Sequence, residues 1–308
     1  MNYSQFLRGV YQRFARKQWT SAVRSFSTPT GRRILSGTAG GGTCLFSLSF
    51  FGSTSPTGGF EAPKINEVPN FDLIIRETDS LYNNYLIDNA YAILRKHGSG
   101  TCSELLWRLA RVVTEKAKLT KDKTEKERLI MEAFAIAEKA LQYEPSEGCF
   151  GAHKWYAIIL DYVGEIEGTK SRIKRSYDVR EHLERALDIN GGDATTWHIL
   201  GVWHFTFADM PYYTRLAAKA IFGTPPSSTY EDALKNFEKA EFIQPNFYST
   251  NTYYLAEAYD RLGRKELALE YYKRAFLMPV VSADDMDIHK KAHDKLKKFG
   301  VKISELLS

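Results

Sequence analysis

From residue 71 onward, apolar residues recur at three- and four-residue intervals, which is the spacing of one face of an α-helix. Alternating runs of the kind that form strands are scarce, and the breaks between helical segments are short. The pattern predicts an all-α fold over residues 71–300 and a short tail at residues 301–308. The predicted helices begin with a capping pair over residues 71–97 and end with a capping helix over residues 282–299.

Between these caps, one arrangement of large and small residues recurs four times. These residue types and spacings match the tetratricopeptide repeat (TPR), in which small residues let two helices approach closely and aromatic residues fill the space between units. Further copies begin near Leu106, Trp155 and Leu255, with 11, 8 and no extra residues between their helices, against 20 in the clearest copy. We predict a TPR-like solenoid of about four helical hairpins with a long insertion in the third. The clearest copy has Trp197, Leu200, Gly201 and His204 on its first helix and Ala233, Phe237, Ala240 and Pro245 on its second.

The first 33 residues have the composition of a mitochondrial presequence. They are rich in arginine, serine, threonine and aromatic residues, and no acidic residue precedes Glu61. Residues 4–19 form an amphipathic helical pattern, and residues 23–28 resemble a presequence processing site. We predict that residues 1–33 are a mitochondrial leader, with a disordered basic tail or a surface-lying helix as the alternatives.

Residues 34–70 are predicted to be a weakly apolar stretch followed by a linker. The uncharged run from Ile34 to Gly52 has about the length that crosses a membrane, but its glycines weaken a helix. A weak membrane anchor and a flexible linker are both compatible with this run. Residues 52–70 are rich in Gly, Ser, Thr, Pro and Asn, which is typical of a linker.

The net charge of +5 is unevenly distributed and limits the possible functions. Seven of the 42 basic residues and none of the 37 acidic residues lie in the first 60 positions, so the remaining chain is nearly neutral. A nearly neutral body argues against nucleic-acid binding. The three cysteines, Cys44, Cys102 and Cys149, include no Cys-x-x-Cys pair, and we expect reduced thiols.

Motifs for catalysis and cofactor binding are missing from the sequence. We find no phosphate-binding loop, dinucleotide fingerprint, metalloprotease motif or nucleophile elbow, so we expect neither enzyme activity nor a cofactor. His289 and His293 are four residues apart on a predicted helix, but no third ligand accompanies them. We therefore expect no metal site.

Several segments go beyond the general TPR pattern and resemble the regulator of microtubule dynamics family. The most specific is the run TPPSSTY at residues 224–230, because the TPR pattern does not dictate it. The resemblance covers about residues 71–300 and implies a TPR-like fold without catalytic activity. It also implies microtubule or spindle association for some members. For a membrane-anchored member, it implies tethering of mitochondria to another membrane and lipid binding in the TPR region. The other segments are residues 104–111, 153–158, 205–213, 222–234 and 245–249.

In TPR proteins the first helices of successive units line a concave groove. When these groove positions are transferred to this sequence by repeat register, the inner face is mixed aromatic and polar. Such a face disfavours a basic clamp for acidic peptides. We predict that it binds a protein partner or a lipid, with packing of the aromatic residues between units as the alternative. The inner-face residues are Trp107, Arg111, His153, Tyr156, His198, Val202, Tyr253, Glu257 and Arg261.

The insertion in the third unit is unusually apolar. From Phe205 to Ser228, the only charged residues are Asp209, Arg215 and Lys219. Pro211 is expected to open a short helix that ends near Ile221. So apolar a segment is expected to be covered, and the candidates are the array's own groove, a lipid tail or a partner helix. The residues that define the apolar insertion are Phe205, Phe207, Met210, Tyr212, Tyr213 and Phe222.

The last predicted helix carries a basic face, which Asp287, Asp294 and Glu305 partly offset. A solvated helix face is the simplest interpretation. The functional interpretation is contact with an acidic polymer such as a microtubule, or with anionic lipid. The basic face consists of Lys290, Lys291, Lys295, Lys297 and Lys298.

Two hypotheses follow from these patterns. The first is a non-enzymatic TPR-like adaptor or scaffold that binds proteins, with microtubules and the spindle as candidate partners. The second is a lipid-binding or membrane-tethering protein at mitochondria, which holds the acyl chain of a phospholipid between the insertion and the groove. The leader favours a mitochondrial location, and the resemblance gives the cytoplasm, microtubules, spindle and spindle pole as the alternative.

Overall fold

The computed structural model describes residues 70–97, 100–302 and 306, so the predicted leader and the uncharged run before Gly52 lie outside the described residues. The described residues form twelve α-helices and no strand, which confirms the all-α prediction. Helices α1 (Phe71–Asn83) and α2 (Ile87–His97) form the first hairpin. None of the helices in the described ranges is both long and apolar enough to cross a bilayer.

The first two repeat units are regular helical hairpins. Helix α3 (Ser103–Leu119) packs along α4 (Lys123–Gln142), and α5 (Phe150–Glu167) packs along α6 (Thr169–Ile189). Helix α4 begins after Asp122, whose side chain accepts a hydrogen bond from the Thr124 backbone N–H. Such a cap satisfies one of the amide groups that a helix start leaves without a partner. Helices α3 and α4 both contact α5, so the units stack.

The third unit contains the predicted insertion. Helix α7 (Ala194–Ala208) is followed by the short helix α8 (Tyr212–Phe222), and then by α9 (Tyr230–Ile243), which packs along α7. Gly201 lies where the two long helices approach each other. A Cβ atom at this position would lie 2.6 Å from carbons of the Phe237 ring, so the close approach requires glycine.

The fourth unit and a final helix complete the described fold. Helix α10 (Ser249–Arg261) packs along α11 (Lys265–Leu277), and α12 (Ala283–Lys298) covers both. Helix α12 starts with a capping box, in which Ser282 and Asp285 each bond to the other's backbone N–H. The helical-hairpin solenoid and its C-terminal capping helix are therefore confirmed.

The apolar core runs through the solenoid as two main clusters that meet at α7. Trp203 belongs to the cluster that reaches back to α1, and the neighbouring Val202 belongs to the cluster that reaches forward to α12. Because each hairpin buries its apolar face against its neighbours, stability comes from stacking in series.

Candidate functional site

At the first unit, the predicted inner-face residues contact the N-terminal hairpin and the second unit. Arg111 Nη2 donates to Asp79 Oδ1 at 2.5 Å, and its guanidinium lies 3.9 Å from the centroid of the Tyr82 ring. The Trp107 indole packs against Gly151, where a Cβ atom would lie only 2.2 Å from the ring. Arg111 is buried and Trp107 is half-buried, so this end of the inner face is only partly accessible.

At the second unit, two histidines and a tyrosine lie together. His153 Nδ1 lies 2.8 Å from His182 Nδ1, and the ring centroids of Tyr156 and His182 are 4.4 Å apart. Burial lowers the pKa of both imidazoles, that of His182 to about 4, and the nearby His153 adds to this shift. At neutral pH both rings are therefore uncharged, and one Nδ1–H donates to the other ring. Tyr156 is half-buried and keeps some access to solvent.

At the third and fourth units, three of the inner-face positions are buried. Val202 has no solvent exposure, and His198 and Tyr253 are each 2% exposed. His198 Nδ1 donates to Asn251 Oδ1 at 3.0 Å, and burial lowers the pKa of His198 to about 4. These side chains are as buried as residues that pack between repeat units. A partner can reach them only if the helices that pack around them move apart.

The last two inner-face residues bind other parts of the chain. Glu257 accepts a hydrogen bond from the Tyr272 hydroxyl at 2.7 Å and forms an ion pair with Lys295 at 2.6 Å. Arg261 is exposed, and its Nε donates to Asp209 Oδ1 at 2.7 Å. The fourth unit is thereby tied to the insertion and to α12.

The insertion is buried at its start and exposed along α8. Phe205 and Phe207 lie in the core, and Met210 is half-buried against it. In contrast, Tyr212 is 79% exposed and Tyr213 is 66% exposed. The array therefore covers the beginning of the apolar insertion but leaves the outer face of α8 in solvent. The Phe222 backbone ends α8, and its side chain lies outside the described part of the structure.

Three side chains make four hydrogen bonds that hold the two ends of the insertion. Arg215 donates to the backbone oxygens of Phe207 and Pro226, the latter at 2.6 Å. His204 Nδ1 lies 2.6 Å from Ser228 Oγ. The Tyr177 hydroxyl donates to the Thr224 oxygen at 3.0 Å, which ties the end of the insertion to α6.

The basic face of α12 is smaller than the sequence predicts. Lys291 forms an ion pair with Asp287, four residues before it, and Lys295 forms ion pairs with Glu257 and Asp260. These contacts neutralise two of the five lysines. The three that remain exposed are Lys290, Lys297 and Lys298.

The two histidines of α12 contact an aromatic side chain instead of forming a ligand pair. His289 stacks on Phe276 with ring centroids 4.2 Å apart, and its Nδ1 donates to the Phe276 oxygen at 2.8 Å. His293 lies 3.6 Å from Asp294. Within residues 70–97, 100–302 and 306, no three potential ligands among His, Cys, Asp and Glu come together.

Sequence reasoning missed the residues elsewhere in the chain that contact these candidate side chains. Asp79 is 32 residues before Arg111, His182 is 29 residues after His153, and Asp209 is 52 residues before Arg261. No spacing rule connects residues so far apart. The signal in the sequence was only that each candidate had a charge or a polar ring in need of a partner.

The chain was compared with protein families and with solved structures. The family model described as "Regulator of microtubule dynamics protein 1-3" matches residues 74–300. A structure of a thermophilic TPR protein from Thermus thermophilus has a TM-score of 0.49 and 16% sequence identity, and it covers 72% of this chain and 97% of that protein.

Individual relatives extend over most of the chain. "Regulator of microtubule dynamics protein 1" from Pongo abelii is 39% identical over 267 residues, which is 86% of this chain and 84% of the relative. The protein of the same name from Mus musculus is 40% identical over 250 residues, which is 80% of this chain and 81% of the relative. Both matches extend the resemblance far beyond single motifs. The chain therefore belongs to the regulator of microtubule dynamics family.

Proposed function

We propose that this protein is an adaptor that binds protein partners through its helical repeats and associates with microtubules through α12. Membership of the family and the TPR-like fold support the adaptor role. The observation that carries the microtubule part is the set of exposed lysines Lys290, Lys297 and Lys298 at the end of the solenoid.

These lysines suit an acidic polymer because their charges are available. Lys290, Lys297 and Lys298 form no ion pair within the described residues, whereas Lys291 and Lys295 do. Asp294 is exposed on the same helix and reduces the field of this face without neutralising it. Such an attraction between exposed charges weakens with salt, because the Debye length is about 8 Å at physiological ionic strength.

The test is co-sedimentation of the full chain with polymerised microtubules. Replacing Lys290, Lys297 and Lys298 together with glutamine should reduce binding severalfold, and added salt should weaken the wild type more than the variant. The matched control replaces three exposed lysines elsewhere in the solenoid with glutamine, so that the net charge is the same. Equal binding by both triple variants would refute a role for α12. The control lysines are Lys96, Lys121 and Lys235.

For protein partners, we propose contact at the accessible inner-face residues. Trp107 and Tyr156 are half-buried and Arg261 is exposed, so their side chains meet solvent without any movement of the helices. Aromatic and arginine side chains are the types that contribute most to protein interfaces. Once a partner is identified, Tyr156→Ala should reduce its affinity at least tenfold without changing the circular dichroism spectrum. Unchanged affinity would place the interface elsewhere.

For the location, we propose that residues 1–33 direct the protein to mitochondria. The test is to express the full chain with a C-terminal tag, then to measure its mass and its protease protection in isolated mitochondria. A shortened, protected product would support the leader and would exclude microtubules as the physiological partner. A full-length, protease-sensitive product would refute a cleaved leader and would leave the repeats exposed to the cytosol.

Lipid binding remains the second proposal, and the geometry favours one form of it. Tyr212 and Tyr213 project into solvent. Their exposure favours contact with a surface over enclosure of an acyl chain between the insertion and the groove.

A further inference from the structure

Helix α8 presents a broad apolar face to solvent. Tyr212, Tyr213, Leu216 and Ile221 are 79%, 66%, 55% and 63% exposed, respectively. At 100° per residue these side chains lie along about half of the helix circumference, and Lys219 borders this half next to Tyr212. Ala218, on the opposite side, is 1% exposed and anchors the helix. So many large apolar side chains on one short exposed helix mark an interaction surface.

The face is displayed by a segment that is fixed at both ends. Arg215 donates to one carbonyl before α8 and to one after it, at Phe207 and Pro226. The Tyr177 hydroxyl bonds to Thr224 just after the helix. The apolar side chains therefore project from a defined position on the solenoid, and contact with a partner does not require them to fold first.

The charges around this face select the chemistry of its partner. Residues 210–230 contain no acidic side chain, and their two charges are those of Arg215 and Lys219. Carbonyl oxygens accept the hydrogen bonds of Arg215 that tie the insertion, so the positive charge of this residue is not cancelled there. Two copies of the helix would bring like charges together, which disfavours self-association through this face. An anionic partner is complementary.

We infer that α8 docks on the surface of an anionic phospholipid bilayer. Tyr212, Tyr213, Leu216 and Ile221 enter the boundary between head groups and acyl chains, and Lys219 contacts lipid phosphate. A lone projecting helix with an apolar face, tyrosines and basic charge has the features of interfacial membrane helices. A partner protein would need an apolar groove with an acidic rim that matches this helix. An anionic bilayer supplies an apolar interior and negative head groups over its whole surface. This inference rests on the lipid proposal above and is independent of microtubule binding by α12.

The test uses the full chain and vesicles of phosphatidylcholine with about one third phosphatidylserine. Because the basic leader also attracts anionic vesicles, hydrogen–deuterium exchange is measured on peptides covering residues 209–223, which gives a local readout. Vesicles should slow exchange in these peptides in the wild type. They should not do so in Leu216→Glu or with pure phosphatidylcholine. Phe242→Glu is the matched control, since Phe242 is a large apolar residue that is 79% exposed, as Tyr212 is, but lies on α9.

A second measurement addresses the electrostatic part. Lys219→Ala should raise the lipid concentration that gives half of the protection of α8 about fivefold. One basic residue near an anionic surface contributes about that factor in affinity. Exchange in α8 that is unaffected by anionic vesicles in the wild type would overturn the inference. Equal protection by neutral vesicles would overturn the selection for anionic lipid. Protection that appears without vesicles and grows with protein concentration would show self-association instead.

Discussion

Replacing Gly201 with alanine tests whether close helix approach decides the stability of the third unit. In a free helix, alanine would stabilise by about 1 kcal/mol relative to glycine. Here the new Cβ would lie 2.6 Å from the Phe237 ring, and ordinary contact begins at 3.4 Å, so the ring or the helix must move by about 0.8 Å. Phe237 has no solvent exposure, so the ring cannot turn outward into solvent without displacing its neighbours. Overpacking of this kind costs about 1–3 kcal/mol, so the net expectation is a loss of about 1 kcal/mol.

The assay is urea unfolding followed by far-ultraviolet circular dichroism. Four proteins are compared, namely the wild type, Gly201→Ala, Phe237→Leu and the double variant. In the Phe237→Leu background the clash is relieved, so alanine at position 201 should be neutral or stabilising. The two substitutions should then couple by about 1–2 kcal/mol. A stabilising effect of Gly201→Ala in the wild-type background, or simple additivity, would refute the argument that Phe237 demands glycine.

Two further predictions concern buried polar groups. The pKa of His198 is lowered from its ordinary value near 6.5 to about 4, so the unfolded chain binds a proton that the folded chain does not. The free energy of unfolding should therefore fall as the pH decreases from about 6.5 to 4, with up to about 3 kcal/mol from this residue. His198→Gln should flatten the pH dependence by that amount in urea titrations, and an unchanged slope would contradict it. Separately, Asp209→Asn weakens the bonds from Tyr230 and Arg261 that fix the insertion, at a cost of about 0.5–1 kcal/mol. Hydrogen exchange over residues 209–223 should accelerate while α1 is unaffected, and equal acceleration throughout would show global destabilisation instead.

The burial of the first helices limits how partners can bind. At the third and fourth units, His198, Val202 and Tyr253 face neighbouring helices. Of the candidate residues, those that meet solvent lie near the first two units, at Arg261 in the fourth unit, along α8 and at the end of α12. The proposed interaction surfaces on this solenoid are therefore separate patches, and substitutions at one patch should leave the others intact.

Local patterns in the sequence were enough to predict the helical hairpins, their order and the position of the insertion. Apolar periodicity, Gly201 opposite Phe237, and Pro211 before α8 were sufficient, because the relevant interactions lie within one helix or one hairpin. It also identified the unusual apolar character of the insertion, since that is a property of composition.

Which of these side chains are accessible depends on how the helices pack together, and the sequence did not reveal it. Val202 and Tyr212 are both apolar and both belonged to predicted surfaces, yet one has no exposure and the other is 79% exposed. Likewise, Lys295 is neutralised by Glu257 from another helix, while Lys297, two residues later, is exposed. The reason is physical. Periodicity defines the apolar side of each helix, but exposure and charge depend on which distant helix packs against it.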